Sequence, residues 1–369
     1  MHTTVLDTAV IGAGAAGLAA GHRLAERGDR FELFDDHARV GDSWRERYRS
    51  LRLFTPRPFI SLPGLPIEIG RFGYPTGAEL ADYLERYARH SALPIRLSTR
   101  VVRLSRAGAA SDGRFRLELS DGDDVFADRV IVTTGAHRVP IVPAIASQLD
   151  PAIRQLHSID YRGPEQFADG PVLVVGAANS GTDVALDAAR AGHTVTLAGR
   201  HPGHVPVDID RPMGNLMAGV ILSRRLRLTV DTPKGRAARE ASRGHGLMVI
   251  RNGPTVLERA GVSRAARIER VEAGRPVTDD GTAIDAATVV WCTGSRPDLS
   301  WIDIDGVVDD DGFPIEHLGL ATGCRGLAFV GMPFQHSAVS VALTGIAHDA
   351  ADVVDTLAAA SVTAREVAV

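Results

Sequence analysis

At 369 residues, 44% hydrophobic and 23% charged, the chain has the make-up of a soluble globular protein with room for two or three domains. The net charge of −4 argues against nucleic acid as the main partner, and no apolar run reaches membrane-spanning length. The two cysteines, Cys292 and Cys324, are too few for a disulfide framework and not close enough for a CxxC redox pair.

The opening "MHTT" runs straight into an apparent strand, which leaves no room for a signal peptide; a reduced, cytoplasmic enzyme is expected. "VLDTAVIG" is an apolar run ending at glycines, the pattern of a buried parallel strand. "AAGLAAGHRLAERG" follows with helical spacing, and Gly28 is placed to close the helix. "RFELF" is the next strand, ending at Asp35. The unit carries G-x-G-x-x-G at Gly12, Gly14 and Gly17, with an acid 18 residues after Gly17. Such glycines let the backbone approach a pyrophosphate, the helix N-terminus stabilises its charge, and the acid accepts from ribose hydroxyls. Asp36 competes with Asp35 for the ribose role. The alternative is a tight strand–helix packing turn with no ligand.

"PVLVVGAANSG" (Pro171 to Gly181) repeats the plan: strand "VLVV", helix "SGTDVALDAARAG" and strand "HTVTLA". Here Ala178 replaces the middle glycine, and 19 residues after Gly181 stands Arg200 instead of an acid. A carboxylate there would repel a 2′-phosphate, whereas a guanidinium holds it with paired hydrogen bonds. The first loop thus suits a nucleotide with free ribose hydroxyls and the second suits NADPH. A dead second site kept for packing is the alternative that Ala178 raises. Both halves end in a turn, a strand and Thr-Gly, at Thr134-Gly135 and Thr293-Gly294. From Gly12 to Thr134 is 122 residues, and from Gly176 to Thr293 is 117. Near the end, "LAFVGMPFQHSAVSVALTGIAHDAADVV" predicts a buried strand, a turn at Gly331 and a helix starting near Ser337.

The order of motifs resembles the flavin-containing monooxygenases, especially their short bacterial and plant-auxin-type relatives. The segment "GDSWRERYRSLRLFTPRPFISLPG" (Gly41 to Gly64), then "LHSIDY", "VVGAANSG", "VVWCTGSRPDLSWI" and "FVGMPFQHS", carries the resemblance over nearly the whole chain. In the family's fingerprint Phe and Gly stand six and four residues before the histidine; here those positions are Pro151 and Ile153. Many members have an asparagine near the flavin ring where this chain reads Thr55-Pro56.

The resemblance implies an α/β fold of two Rossmann-like, three-layer dinucleotide-binding domains. An NADPH domain (161–294) is inserted into an FAD domain (1–160 and 295–369). It places Gly12, Gly14, Gly17 and Asp35 on the FAD adenosine diphosphate and Trp44 and Arg45 beside its flavin side. Gly331 and Gln335 would lie near the isoalloxazine, and Gly176, Asn179, Ser180, Gly181 and Arg200 on NADPH. The implied activity is an NADPH-dependent monooxygenase that forms a C(4a)-peroxyflavin from dioxygen and oxygenates a small-molecule soft nucleophile or carbonyl. The rivals are a flavin reductase or electron-transfer enzyme, and a flavin-binding protein without activity. No catalytic side chain and no metal site is singled out, and a homo-oligomer is left open.

The remaining residues have plainer readings. His157 is expected as a linker hydrogen bonder rather than a base, and Cys292 as a buried structural thiol. His336 either caps a turn or faces the ring. "RRLRL" (Arg224 to Leu228) reads as a solvated face, while Met213, Leu216 and Met217 line a substrate cavity or pack in a core.

Overall fold

The computed structural model describes residues 4–108, 113–242 and 246–367. β1 (Thr4–Ile11), α1 (Ala15–Arg27) and β2 (Phe31–Phe34) form the expected βαβ unit, and Gly28 closes α1 in the left-handed conformation. After α2 (Asp42–Arg45), α3 (Gly77–His90) starts with a capping box in which Thr76 and Glu79 satisfy each other's backbone N–H groups. β3 (Ile95–Arg96), β4 (Val101–Arg106), β5 (Phe115–Leu119) and β6 (Asp124–Val132) complete the first half. The sheet order β4-β5-β6-β1-β2-β3 places β1 between two parallel neighbours. Its side chains alternate accordingly: Val10 joins the core under α1, α3 and the last helix, and Ile11 joins the core on the opposite face.

The chain then crosses through β7 (Val139–Pro140) into a second sheet. It begins with β8 (Arg154–His157), ahead of the expected boundary at residue 161, and continues with β9 (Val172–Val175), α4 (Asn179–Arg190) and β10 (Val195–Ala198). Three helices, α5 (Pro212–Leu226), α6 (Pro233–Ser242) and α7 (Pro254–Arg259), separate β10 from β11 (Ser263–Ala265). β12 (Ile268–Glu272) and β13 (Arg275–Thr278) make a hairpin, and β14 (Thr288–Trp291) returns to the sheet, whose order is β11-β10-β9-β14-β8 with every pair parallel. The return crossing, β15 (Ser295–Arg296), pairs antiparallel with β7, so the two connections between the sheets lie side by side. β16 (Ile302–Asp303) rejoins β4, β17 (Glu316–His317) and β18 (Leu320–Ala321) form a ribbon, and β19 (Leu327–Phe329) lies parallel to β6. The chain therefore folds as two Rossmann-like domains, the second inserted into the first.

α8 (Leu343–Val367) packs on α1. It begins at Leu343, not near Ser337 as the sequence predicts. The Ser340 hydroxyl accepts from the backbone N–H groups of His336 and Ser337 (3.0 Å each), which holds residues 336–340 as a tight turn and delays the helix.

The domains are clipped together from several directions. Tyr48 Oη donates to Asp183 of α4 (2.8 Å), and Arg251 donates to the carbonyls of Arg52 and Leu53 (2.9 Å each). Burial pushes the Asp183 carboxyl up to about 6.

Candidate dinucleotide sites

In the first loop two glycines are required by contact and one by empty space. A Cβ on Gly17 would stand 1.9 Å from the Gly12 carbonyl oxygen, and one on Gly12 (φ +107) 2.8 Å from that of Thr133. The Thr133 hydroxyl donates towards the carbonyls of Ile11 and Gly12 (2.9 and 2.8 Å), closing β6 onto the loop. At Gly14, the N-cap of α1, a Cβ would meet nothing within 4 Å. That open space above a helix N-terminus is the cradle a pyrophosphate needs.

The two adjacent acids divide their work. Asp35 Oδ2 accepts from the Ala13 N–H (2.6 Å), inside the glycine loop. Asp36 Oδ2 is held by Arg100 and Arg138 (3.0 and 2.8 Å), so Asp36 is turned to these arginines and Asp35 to the glycine loop. His37 Nδ1 lies 2.9 Å from Asp35 and 3.0 Å from Asp36, and these carboxylates push the imidazole up to about 10. A raised native pKa means stability that is full below the unfolded value near 6.5 and lost as pH rises through about 10. His37→Ala is therefore expected to lower the urea midpoint most at pH 6, with the deficit shrinking towards pH 10.5. An equal deficit at both pH values would remove the ion pair as its cause.

Other predicted residues are turned elsewhere. Arg45 does not reach the open loop side: its guanidinium bonds Asp42 (3.0 Å), Asp82 (2.8 Å) and Glu85 (2.9 Å), fastening α2 to α3. Gln335 is fully buried; its amide donates to the Phe329 carbonyl (2.6 Å) and accepts from the Gly331 N–H (3.2 Å). It shapes the turn at Gly331 (φ +93), where a Cβ would be 3.2 Å from that of Ala16 at the start of α1. Trp44 is half-buried against the core under α1 and α3. The Thr134 hydroxyl is buried with no partner among the described residues, and Gly135 follows at φ +83. An orphaned donor beside the glycine loop fits a polar group arriving with a ligand.

The second loop repeats the geometry. A Cβ on Gly181 would lie 1.7 Å from the Gly176 carbonyl oxygen, and one on Gly176 (φ +108) 2.2 Å from that of Cys292. Ala178 is the N-cap of α4, as Gly14 is of α1. Its methyl sits 2.7 Å from where a Cβ on Gly246 would be, so the segment beyond Gly246 passes over the helix start. Asn179 fixes that segment, donating to the Met248 carbonyl and accepting from the Ile250 N–H (3.0 Å each). Its side chain is thus engaged by protein, while Ser180 sits half-buried in the first turn of α4. Arg200 is exposed just beyond β10 and forms no ion pair among the described residues. Beside it Arg264 of β11 donates to the Gly199 carbonyl (2.6 Å), and His201 stacks edge-on with His204. Sequence spacing finds Arg200 but misses Arg264, which lies 64 residues on and arrives through the parallel pairing of β11 with β10.

At the crossing, Thr293 Oγ1 donates to the Ile141 carbonyl (2.5 Å), and the Gly294 carbonyl accepts from His157 Nε2 (3.0 Å). His157 Nδ1 accepts from the Ile159 N–H, so both ring nitrogens serve the backbone between the sheets. Burial pushes the Cys292 thiol up to about 12, which keeps it protonated and unreactive. Arg47 was not foreseen from sequence. It makes no ion pair among the described residues and lies near Arg138, Arg162, His137 and Glu46, and burial lowers its pKa. Met213, Leu216 and Met217 do not enter a core: they are 68%, 61% and 43% exposed on α5.

The chain matches the family model described as pyridine nucleotide-disulphide oxidoreductase over residues 9–211, more than half its length. It is 34% identical over 346 residues to an uncharacterized oxidoreductase, CzcO-like, of Geobacillus kaustophilus, covering 94% of this chain and 96% of that one. It is also 34% identical over 204 residues to the indole-3-pyruvate monooxygenase YUCCA1 of Oryza sativa, covering 55% and 50%. Among solved structures, a flavin-containing monooxygenase from Stenotrophomonas maltophilia superposes with a TM-score of 0.76 at 27% identity, covering 97% of this chain and all of that one. With two glycine-loop sites in one interleaved fold and no CxxC pair, the chain belongs to the pyridine nucleotide-disulphide oxidoreductase family, in its flavin-containing monooxygenase-like group.

Proposed function

We propose that this protein is an NADPH-dependent FAD monooxygenase acting on a small-molecule soft nucleophile or carbonyl. The observation that carries the reading is the opposite charge at the ends of two otherwise matching loops: Asp35 faces the first, Arg200 and Arg264 the second. The first loop, with Gly12, Gly14, Gly17 and Asp35, would hold FAD, the open space at Gly14 and the orphaned Thr134 hydroxyl being the fit. The second, with Gly176, Ser180, Gly181, Arg200 and Arg264, would hold NADPH.

FAD, when bound, supplies hydride acceptance and, once reduced, reaction with dioxygen. The protein's own residues bind, orient and exclude water. The α1 N-terminus neutralises phosphate charge. Gln335 holds the Gly331 turn against Ala16, fixing the wall beside the loop. Tyr48 and Arg251 tie the two domains to each other, which would keep the two loops in a fixed relation.

A second reading, a reductase that transfers electrons without oxygenating a substrate, is favoured by the engagement of Arg45 and Gln335 in protein contacts and by Thr55-Pro56 in the asparagine's place. One experiment separates the two. The purified protein is reduced with NADPH without air, then mixed with aerated buffer while its absorbance is followed. The proposal expects bleaching by NADPH and then a species, lasting seconds or longer, that matches neither reduced nor oxidised flavin. Bleaching followed by direct return of the oxidised spectrum supports the reductase; failure of NADPH to bleach yellow protein overturns both.

A further inference from the structure

We propose that the start of α8 carries a binding site for one first-row divalent cation of the zinc class, built from His336, His348 and Asp352 with the buried Asp349 carboxylate behind them. His348 and Asp352 stand four residues apart on α8, hence on one face. His336 comes from the turn before the helix. Both histidines aim Nδ1 at one oxygen: Asp352 Oδ2 is 3.0 Å from His348 Nδ1 and 3.6 Å from His336 Nδ1. Their rings stand edge to face, centroids 5.4 Å apart and planes at 84°, so the two nitrogens share one space instead of stacking. The donor atoms of His336, His348 and Asp352 all lie within 4.8 Å of one another.

Asp349 supplies the independent observation. It is 4% exposed, its Oδ1 lies 4.0 Å from His336 Nδ1, and its Oδ2 is buried with no hydrogen-bond partner among the described residues. A buried carboxylate oxygen without a partner is costly unless something charged completes it. The 3.6 and 4.0 Å separations are too long for hydrogen bonds. Two donors each about 2.1 Å from a metal lie roughly 3.0 to 3.5 Å apart at right to tetrahedral angles. The 3.6 Å pair is already near that spacing, while the set as a whole, within 4.8 Å, must draw together on binding.

The donors also select the ion. Two imidazoles with carboxylates suit zinc, cobalt or nickel better than calcium or magnesium, which take oxygen ligands. Asp231 Oδ2 lies 3.7 Å from His336 Nε2, the place of an outer carboxylate that orients a ligating histidine. Asp231 belongs to the segment joining α5 to α6, whose Val230 N–H donates to the His336 carbonyl (2.9 Å) and whose Thr229 bridges Ser337. A bound cation would thus pin three pieces of chain: the helical insertion, the turn after Gly331 and α8. This site stands apart from the FAD and NADPH reading and does not depend on it.

The test uses the flavin-loaded protein, treated with chelator and freed of it, then titrated calorimetrically with Zn²⁺ and, separately, with Co²⁺ followed by visible absorption. The proposal expects one cation per chain at low-micromolar or tighter affinity, with Co²⁺ bands showing histidine ligation. His348 is exposed, so His348→Ala should leave folding and flavin content unchanged while weakening Zn²⁺ at least tenfold, as should Asp352→Asn. His90→Ala, a distant exposed histidine, should change nothing. Absence of stoichiometric binding, or binding that both variants leave intact, would overturn the site.

Discussion

A Gly14→Val variant is expected to purify folded and colourless. At this N-cap the backbone sits at φ −75, ψ −171, an extended conformation that valine adopts readily, and a Cβ meets nothing within 4 Å. Folding therefore has no quarrel with the side chain; only a ligand filling that space does. Flavin content should fall at least tenfold, while the thermal midpoint stays within a few degrees of parent protein stripped of flavin. Gly17→Ala is the contrasting case. Its methyl would lie 1.9 Å from the Gly12 carbonyl oxygen, so the backbone of the turn must move. Overpacking against backbone costs about 1–3 kcal/mol or more, and this variant should lose stability and flavin together. Absorbance at flavin wavelengths against protein concentration, with a melting curve on each sample, distinguishes the two. Full flavin occupancy in Gly14→Val would sink the assignment of the first loop.

The sequence shows the two loops clearly because their constraint is local. Gly12 and Gly17, like Gly176 and Gly181, collide with backbone a few residues away, so spacing alone encodes them. Asp35 is found by the same counting, and the structure separates it from Asp36 only because Arg100 and Arg138 arrive from just before β4 and β7, far along the chain. Where partners come from afar, residue type misleads. Arg45 is drawn to Asp82 and Glu85 on α3, and Gln335 to the backbone of its own turn. The start of α8 is misplaced because "SAVSVAL" has helical apolar spacing, whereas the Ser340 hydroxyl gathers the His336 and Ser337 N–H groups into a turn ahead of the helix. Ala178 raised the question of a dead site. The structure shows what surrounds it: its methyl faces Gly246, and Asn179 ties down the segment that follows. The substitution is thus part of how the second loop is covered, a relation spanning 68 residues, from 178 to 246, that no local pattern marks.

The preference for NADPH over NADH should rest on Arg200 and Arg264 together. Arg200 is exposed and forms no ion pair among the described residues, which leaves it free to meet an arriving phosphate. Arg264 is already oriented by the Gly199 carbonyl, in the middle of the short strand that pairs with β10. A guanidinium bonded to a doubly charged phosphate contributes about 1.5–3 kcal/mol, and each 1.4 kcal/mol is tenfold in affinity. Arg200→Ala should therefore raise the NADPH concentration needed for half-maximal anaerobic flavin reduction by roughly ten- to a hundredfold. The value for NADH, which lacks the phosphate, should change less than about threefold, the scale of ordinary context effects. Arg264→Ala should act in the same direction with a smaller loss, because one of its donors is committed to Gly199. In the double variant the losses should combine less than additively, since two cations that share one phosphate partly replace each other. Equal losses for both nucleotides would mean that the arginines hold the loop rather than the phosphate. No loss for either would mean that the 2′-phosphate is held elsewhere, with Arg47, which forms no ion pair among the described residues and lies near Arg138 and Arg162, the next cation to remove.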